Sequence, residues 1–361
     1  MKKQILTTIL ILVLSLVLIN LSHAWPIPDT GQTLCYDNEK EIPCPQPGEP
    51  YYGQDGNYLM NEPSYTKLDA QGNALPDDAP EWFMVRDNVT DLIWEVKAAK
   101  NGIQDYSNVH DADNQYSWFD SHPNTNGGYA GNDNNGRNTE VYIHTLNAQH
   151  YGGFDDWRLP SMNELHSILH AAKYNPSVDT TIFPNTLSAF YWSSVSVTSS
   201  TGYAWGVSFN SGYDSTIAKS SSYYVRAVRG GKCRAFDQLI MNNDGTVTDM
   251  ASGLMWQQDT APVKSWPNAF SYCEDLTLAG YADWRLPEKK SLQSIVNYAR
   301  YSPAINSNIF LDTLSAFYWS STSYTLYTDY AWGVDFLYGN DYNDAKSSSY
   351  YVRAVRGGQC R

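Results

Sequence analysis

The chain has 361 residues, with 24 Lys and Arg against 38 Asp and Glu, a formal charge of −14. Aromatic residues reach 14%, with 28 Tyr and 12 Trp, enough apolar surface to exclude disorder throughout. The acidic balance argues against sequence-independent nucleic-acid binding, and Gly without a three-residue period excludes collagen.

Met1-Lys2-Lys3 gives a positive start, Ile5 to Leu21 is nearly all apolar, and Ser22-His23-Ala24 offers a small-residue cleavage site. Residues 1–24 therefore read as a secretory signal peptide, whose removal takes the charge to 22 − 38 = −16. No other run approaches the ~20 apolar residues of a membrane helix. The expectation is an exported protein of the periplasm, outer cell surface or extracellular space, without integral membrane contact after cleavage.

A Pro/Gly-rich segment, 25–80, follows. Its Cys35 and Cys44 flank a short loop and are expected to form a disulfide, as close pairs in exported chains do. Three further thiols, Cys233, Cys273 and Cys360, make the total odd, so at least one lacks an intramolecular partner.

The remainder is a duplication. Asp156-Trp157-Arg158-Leu159-Pro160 recurs as Asp283 to Pro287, and residues 156–234 match 283–361 at 49 of 79 gapless positions. Upstream, Leu92-Ile93-Trp94 matches Leu254-Met255-Trp256 at an offset of 162, so the first copy carries about 35 extra residues, an insert over about 100–138. Two domains are expected, 81–234 and 236–361. Ser161 with Glu164 makes a capping box, and Leu165, Ile168, Leu169 and Ala172 continue at helical spacing. Tyr203 to Phe209 and Tyr223 to Arg229 read as strands, and Asn242 to Gly245 as a hairpin turn. These elements predict an α+β unit, with one or two helices and a mostly antiparallel sheet in each copy.

DWRLP before a helix, then YWSS, AWGV and YYVRAVRGG, resembles the Lcl C-terminal domain family, named after the Legionella collagen-like adhesin. The resemblance covers both copies, about three quarters of the chain. It implies two tandem C-type-lectin-like domains and a non-enzymatic recognition or adhesion role. The named adhesin binds sulfated glycans within a collagen-like trimer. This chain has no collagen repeat and is strongly acidic, so neither property transfers. In lectin-like folds a first-helix Cys bridges the last strand, which would involve Cys273. Cys273–Cys360, Cys233–Cys360 and Cys233–Cys273 all remain open.

The chemistry is sparse. Asp156/Arg158 and Asp283/Arg285 read as internal pairs before the helix. Arg226/Arg229 and Arg353/Arg356 fall on opposite strand faces and read as structural. Trp192, Trp205, Trp319 and Trp332 read as core as readily as sugar-stacking platforms. Where the copies diverge, Tyr, Asn and Asp concentrate in loops, and Tyr213, Asp214, Tyr338, Asn340, Asp341 and Tyr342 are the ligand-binding candidates. Asp111, Asp113 and Asn114, or Asn132 to Gly136, carry oxygen ligands of the kind calcium takes, but no loop meets a calcium-binding register, so no cofactor or metal residue is assigned. No nucleophile–base arrangement is evident. The expected partner is a glycan or an envelope or extracellular polymer, with a structural envelope or matrix protein as the alternative. The sequence leaves the oligomeric state open.

Overall fold

The computed structural model describes residues 26–98, 100–231 and 238–357. The expected signal peptide, Cys233 and Cys360 lie outside the described residues. No helix among the described residues is long and apolar enough to cross a membrane.

The protein is mostly β. Its strands are β1 (Tyr65–Leu68), β2 (Met84–Asp87), β3 (Leu92–Glu95), β4 (Phe190–Ser196), β5 (Tyr203–Ser208), β6 (Asp214–Ala218) and β7 (Val228–Gly230) in the first half. The second half has β8 (Leu239–Met241), β9 (Thr246–Asp249), β10 (Leu254–Gln257), β11 (Ala261–Ser265), β12 (Phe317–Ser323), β13 (Tyr330–Asp335), β14 (Asn340–Ala345), β15 (Ser349–Val352) and β16 (Val355–Gly357). Four short α-helices accompany them among the described residues: α1 (Thr139–Ala148), α2 (Met162–Ser167), α3 (Trp266–Glu274) and α4 (Lys289–Ser294). Two-residue strand pairs, Cys35–Tyr36 with Glu41–Ile42 and Tyr116–Ser117 with Ser222–Tyr223, complete the set.

Four sheets of three or more strands result among the described residues, two built mainly from each repeat. Their orders are β7-β3-β2-β1, β4-β5-β6, β8-β9-β10-β16 and β11-β15-β12-β13-β14. They form a four-blade, propeller-like arrangement, which overturns the expected pair of α+β, C-type-lectin-like domains. The physical reason lies in the helices. The Ser161 capping box forms as read, with the Glu164 amide donating to Ser161 Oγ and the Ser161 amide to Glu164 Oε2 at 2.7 Å. The helix nevertheless ends at Ser167, because the Leu169 amide closes a tight turn on His166 and the His170 amide turns away to the Ser177 carbonyl. Apolar spacing continued past the point where the backbone left the helix. The stretch read as one strand, Tyr223 to Arg229, is also broken: Tyr223 pairs with Tyr116, while Val228 pairs with Trp94 in another sheet. The hairpin between β8 and β9 is as expected.

The repeats do not keep separate cores. One buried cluster contains Val85, Leu92, Trp94, Leu165 and Val207 from the first repeat and Val247, Leu254, Trp256, Leu292 and Val334 from the second. Two satellites build around Trp118, Trp157 and Trp192, and around Trp266, Trp284 and Trp319. Burying apolar area across the repeat boundary makes each half a wall of the other.

The N-terminal segment and the first repeat's insert do the same job on opposite halves. Lys219 lies over the Trp118 ring and donates to the Asn126 and Tyr129 carbonyls of the insert. Its counterpart Lys346 lies over Trp266 and donates to the Asp37 carbonyl of the N-terminal segment. Trp118 Nε1 donates to the Ser193 carbonyl, and Trp266 Nε1 to that of Ser320. The second repeat, which lacks the insert, is thus completed by residues that precede the first. Gln32 makes a two-way pair with the Ser323 backbone at 2.8 and 2.9 Å, and Asp55 accepts from Thr30 and Thr322. The Cys35–Cys44 disulfide closes the loop of this segment.

Candidate functional site between the repeats

The repeats meet along a pseudo-twofold relationship in which α2 packs against α4 and β6 against β14. Asp214 opens β6, and Asp341, 127 residues later, is the second residue of β14. The Asp214 amide donates to Asp341 Oδ1 at 2.7 Å, and the Asp341 amide to Asp214 Oδ1 at 2.8 Å. Both are buried, so these bonds form away from water and hold the repeats in register.

The remaining carboxylate oxygens face an asymmetric set of partners. Asp341 Oδ2 accepts from Lys289 Nζ at 2.6 Å and Gln293 Nε2 at 2.5 Å. Asp214 Oδ2 accepts from Tyr298 Oη at 3.2 Å and lies 3.8 Å from His166 Nε2. Burial, and then the neighbouring Asp341 charge, hold Asp214 well above the usual carboxylate range. Burial opposes the ionisation of Asp341 too, but Lys289 outweighs it and holds that carboxyl low. Burial drives the His166 imidazole down to about 3, so it is neutral in the fold. His166 and Gln293 are themselves counterparts in the two repeats. His166, Asp214 and Asp341 bring one potential ligand atom each within 4.8 Å of one another.

To one side of this pair a cleft of about 380 Å³ opens between the repeats. Its first-repeat wall is the β4–β5 connection, Val197 to Tyr203, with Trp205 and Asp214 to Thr216. Its second-repeat wall is Tyr298, Arg300, Tyr301, Tyr338 and Asn340. Trp205 and Tyr298 are buried and meet edge to face at 5.2 Å. Tyr203, Tyr301 and Tyr338 are exposed at 43%, 53% and 46%, so their rings are available to a ligand. Hydroxyls of Thr198, Ser199, Ser200, Ser215 and Thr216, the Asn340 amide and the Arg300 guanidinium lie among them. The arrangement offers flat apolar faces interleaved with hydrogen-bonding groups.

The equivalent position on the other side of the pseudo-twofold is filled. Where the first repeat has Val197, Ser199 and Ser200, the second has Tyr324, Leu326 and Tyr327. Tyr324 packs edge to face on Trp332 at 5.2 Å and lies 5.9 Å from Tyr327. Only about 20 Å³ remains there, beside Thr30, Ala171 and Trp332. The backbone is shared: Thr198 donates to the Tyr298 carbonyl, as Thr325 does to that of Ala171. Larger side chains, together with Thr30 of the N-terminal segment, distinguish the filled position from the open cleft.

The model of the Lcl C-terminal domain matches residues 83–229 and 245–356. The chain belongs to the Lcl C-terminal domain family. Comparison with curated proteins found no match.

Within this tandem Lcl C-terminal chain, the expected ligand residues separate into three groups. Tyr338 and Asn340 line the cleft, and Asp214 lies at its floor. Asp341 is buried beneath, bound to Lys289 and Gln293. Tyr213 and Tyr342 are elsewhere: Tyr213 packs on Phe190 edge to face, and Tyr342 lies against Phe317 with centroids 4.4 Å apart. The cleft residues that sequence reasoning did not single out are Tyr203, Tyr298, Arg300 and Tyr301. The signal for Tyr298 and Arg300 was available as a difference between copies, since Ala171 and Lys173 stand in their places, whereas Tyr301 matches Tyr174 and carried none.

The other motifs are structural. Asp156 and Arg158, expected as an internal pair, each bond a third residue. Asp156 accepts from Arg229 at 2.6 Å, and Arg158 binds Glu164 through two bonds of 2.6 and 2.7 Å. Asp283–Arg356 and Arg285–Glu288 repeat the scheme. Arg226 and Arg353 are fully buried and donate to the Glu95 and Gln257 carbonyls and to Thr186 and Thr313. In the insert, Asp113 caps the amides of Asn101 and Gly102, Asp111 accepts from the Asp113 amide, and Asn114 donates to the Asp105 and Asn108 carbonyls. Those groups serve loop closure. Cys273 is buried and free on α3, and its thiol is pushed well above the usual range by burial.

Proposed function

We propose that this protein is an exported, non-enzymatic recognition protein of adhesin type, and that the cleft between its repeats seats a glycan. Family membership supports the adhesin-like, non-catalytic role. The observation that carries the ligand class is the cleft lining: exposed rings of Tyr203, Tyr301 and Tyr338 set among Ser, Thr, Asn and Arg groups. A sugar ring presents an apolar C–H face and a rim of hydroxyls, and this lining matches both. The net charge of −14 favours a neutral glycan over a sulfated one. Because the equivalent position on the other side is filled, avidity for a polymer has to come from several chains or from repeated epitopes.

A glycan array probed with the purified protein, with and without Ca²⁺, tests this. The expected result is a defined set of neutral glycans, independent of calcium and weakened at least tenfold by Tyr301→Ala or Tyr338→Ala. Absence of any signal above an unrelated acidic protein overturns it.

A further inference from the structure

Where the repeats touch, acceptors outnumber donors. His166, Asp214 and Asp341, all buried, bring one ligand atom each within 4.8 Å of one another, with His166 Nε2 3.8 Å from Asp214 Oδ2. The side chain of Gln293, only 1% exposed, completes the group: its Nε2 is 2.5 Å from Asp341 Oδ2 and 3.3 Å from His166 Nε2, while its Oε1 has no partner. The tautomer of His166 follows from its other face. His166 Nδ1 and Asn163 Oδ1 are both unpartnered, and both residues border a cavity of about 20 Å³, room for one water between an N–H and an acceptor. With the proton on Nδ1, the Nε2 lone pair points at two carboxylates. Turning the Gln293 amide presents a fourth acceptor, Oε1, to the same point, in the side-chain orientation that amide networks leave open.

We propose that this point is a divalent transition-metal site, with His166, Asp214, Asp341 and Gln293 as its ligands, tying the two repeats together. An imidazole in the set favours zinc-like ions over calcium or magnesium, which take oxygen alone. Four protein ligands in a closed, buried position match a structural site and not a catalytic one. Lys289 shares Asp341 Oδ2 and also donates to the Gly212 carbonyl and covers the Trp332 ring at 3.4 Å, so it keeps two partners when that oxygen turns to the ion. The ligands form two pairs related by the duplication, so the site exists only when the repeats associate.

Metal content after purification without chelator, followed by calorimetric titration of the stripped, untagged protein with ZnCl₂, tests the proposal. One zinc per chain and a melting temperature raised by the metal are expected. His166→Gln, which gives both repeats the same side chain, is expected to weaken binding at least tenfold, and Asp214→Asn to do the same while keeping its amide-capping oxygen. Metal-free melting of each variant reports whether it folds. Failure of the wild type to take up zinc, or uptake unchanged in a folded His166→Gln protein, overturns the site.

Discussion

Asp214 and Asp341 each accept the other's backbone amide, at 2.7 and 2.8 Å, across the boundary between the two repeats. The exchange is reciprocal but the surroundings are not, because Lys289 and Gln293 bind Asp341 alone. Asp341→Ala therefore takes the carboxylate away from the buried Lys289 ammonium, leaving it the Gly212 carbonyl and the Trp332 ring, and is expected to cost roughly 3–5 kcal/mol. Asp214→Ala leaves one buried amide without its acceptor and is expected to cost about 1–3 kcal/mol. Urea denaturation of both variants checks the order. Equal losses, or a larger loss for Asp214→Ala, contradict it.

The N-terminal segment stands in for the insert that the second repeat lacks, with Asp37 beneath Lys346 as Asn126 and Tyr129 are beneath Lys219. Replacing Cys35 and Cys44 by Ser opens a loop of separation 9 and is expected to cost about 2–3 kcal/mol. The loss should be local. Hydrogen exchange should rise in β12, whose Thr322 and Ser323 the segment binds, and stay unchanged in β4 and β5. Uniform loss of protection over both repeats contradicts the assignment.

Glu95 is the buried hub of a second polar group, accepting from Lys97 at 3.0 Å, His110 at 2.9 Å and Tyr142. Burial raises its pKa, but Lys97, His110 and Tyr142 together outweigh that and hold it at about 2. A carboxyl lower in the fold than in the unfolded chain adds stability that is present above about pH 4.5 and fades as pH falls towards 2. Glu95→Gln, which copies Gln257 of the second repeat, removes that pH dependence and strands Lys97, at a cost of roughly 3–5 kcal/mol near neutrality. Stability measured from pH 7 to 2 checks both effects. A wild-type-like slope between pH 4.5 and 2 in the variant contradicts the reading.

The duplication, the Ser161 capping box and the structural roles of Arg226 and Arg353 were legible because each depends on local chemistry or on comparing the copies. The fold class was not. Leu165 to Ala172 keeps helical spacing although the helix stops at Ser167, since apolar residues in the following turn face the same core. The lectin-like expectation came from resemblance, and the four sheets overturn it. Asp214 and Asp341 carried a signal: with Phe209/Phe336 and Gly212/Gly339 they stay identical inside an otherwise diverged stretch. Such persistence marks a buried contact and not a drifting loop. The cleft itself depends on which side of the pseudo-twofold stays open. That is decided by residues brought together from distant parts of the chain, such as Thr30 beside Ala171 and Trp332, which no local pattern encodes.

The central claim is that the inter-repeat cleft binds glycan, and side chains of the protein's own second repeat provide the most direct test. The triple variant Val197→Tyr, Ser199→Leu, Ser200→Tyr carries the residues that fill the equivalent position, Tyr324, Leu326 and Tyr327. Wild type and variant are compared on one glycan array at matched concentration, with melting temperatures recorded in parallel. The account predicts a defined wild-type glycan set that the variant loses at an unchanged melting temperature. Identical binding by the two proteins would contradict it.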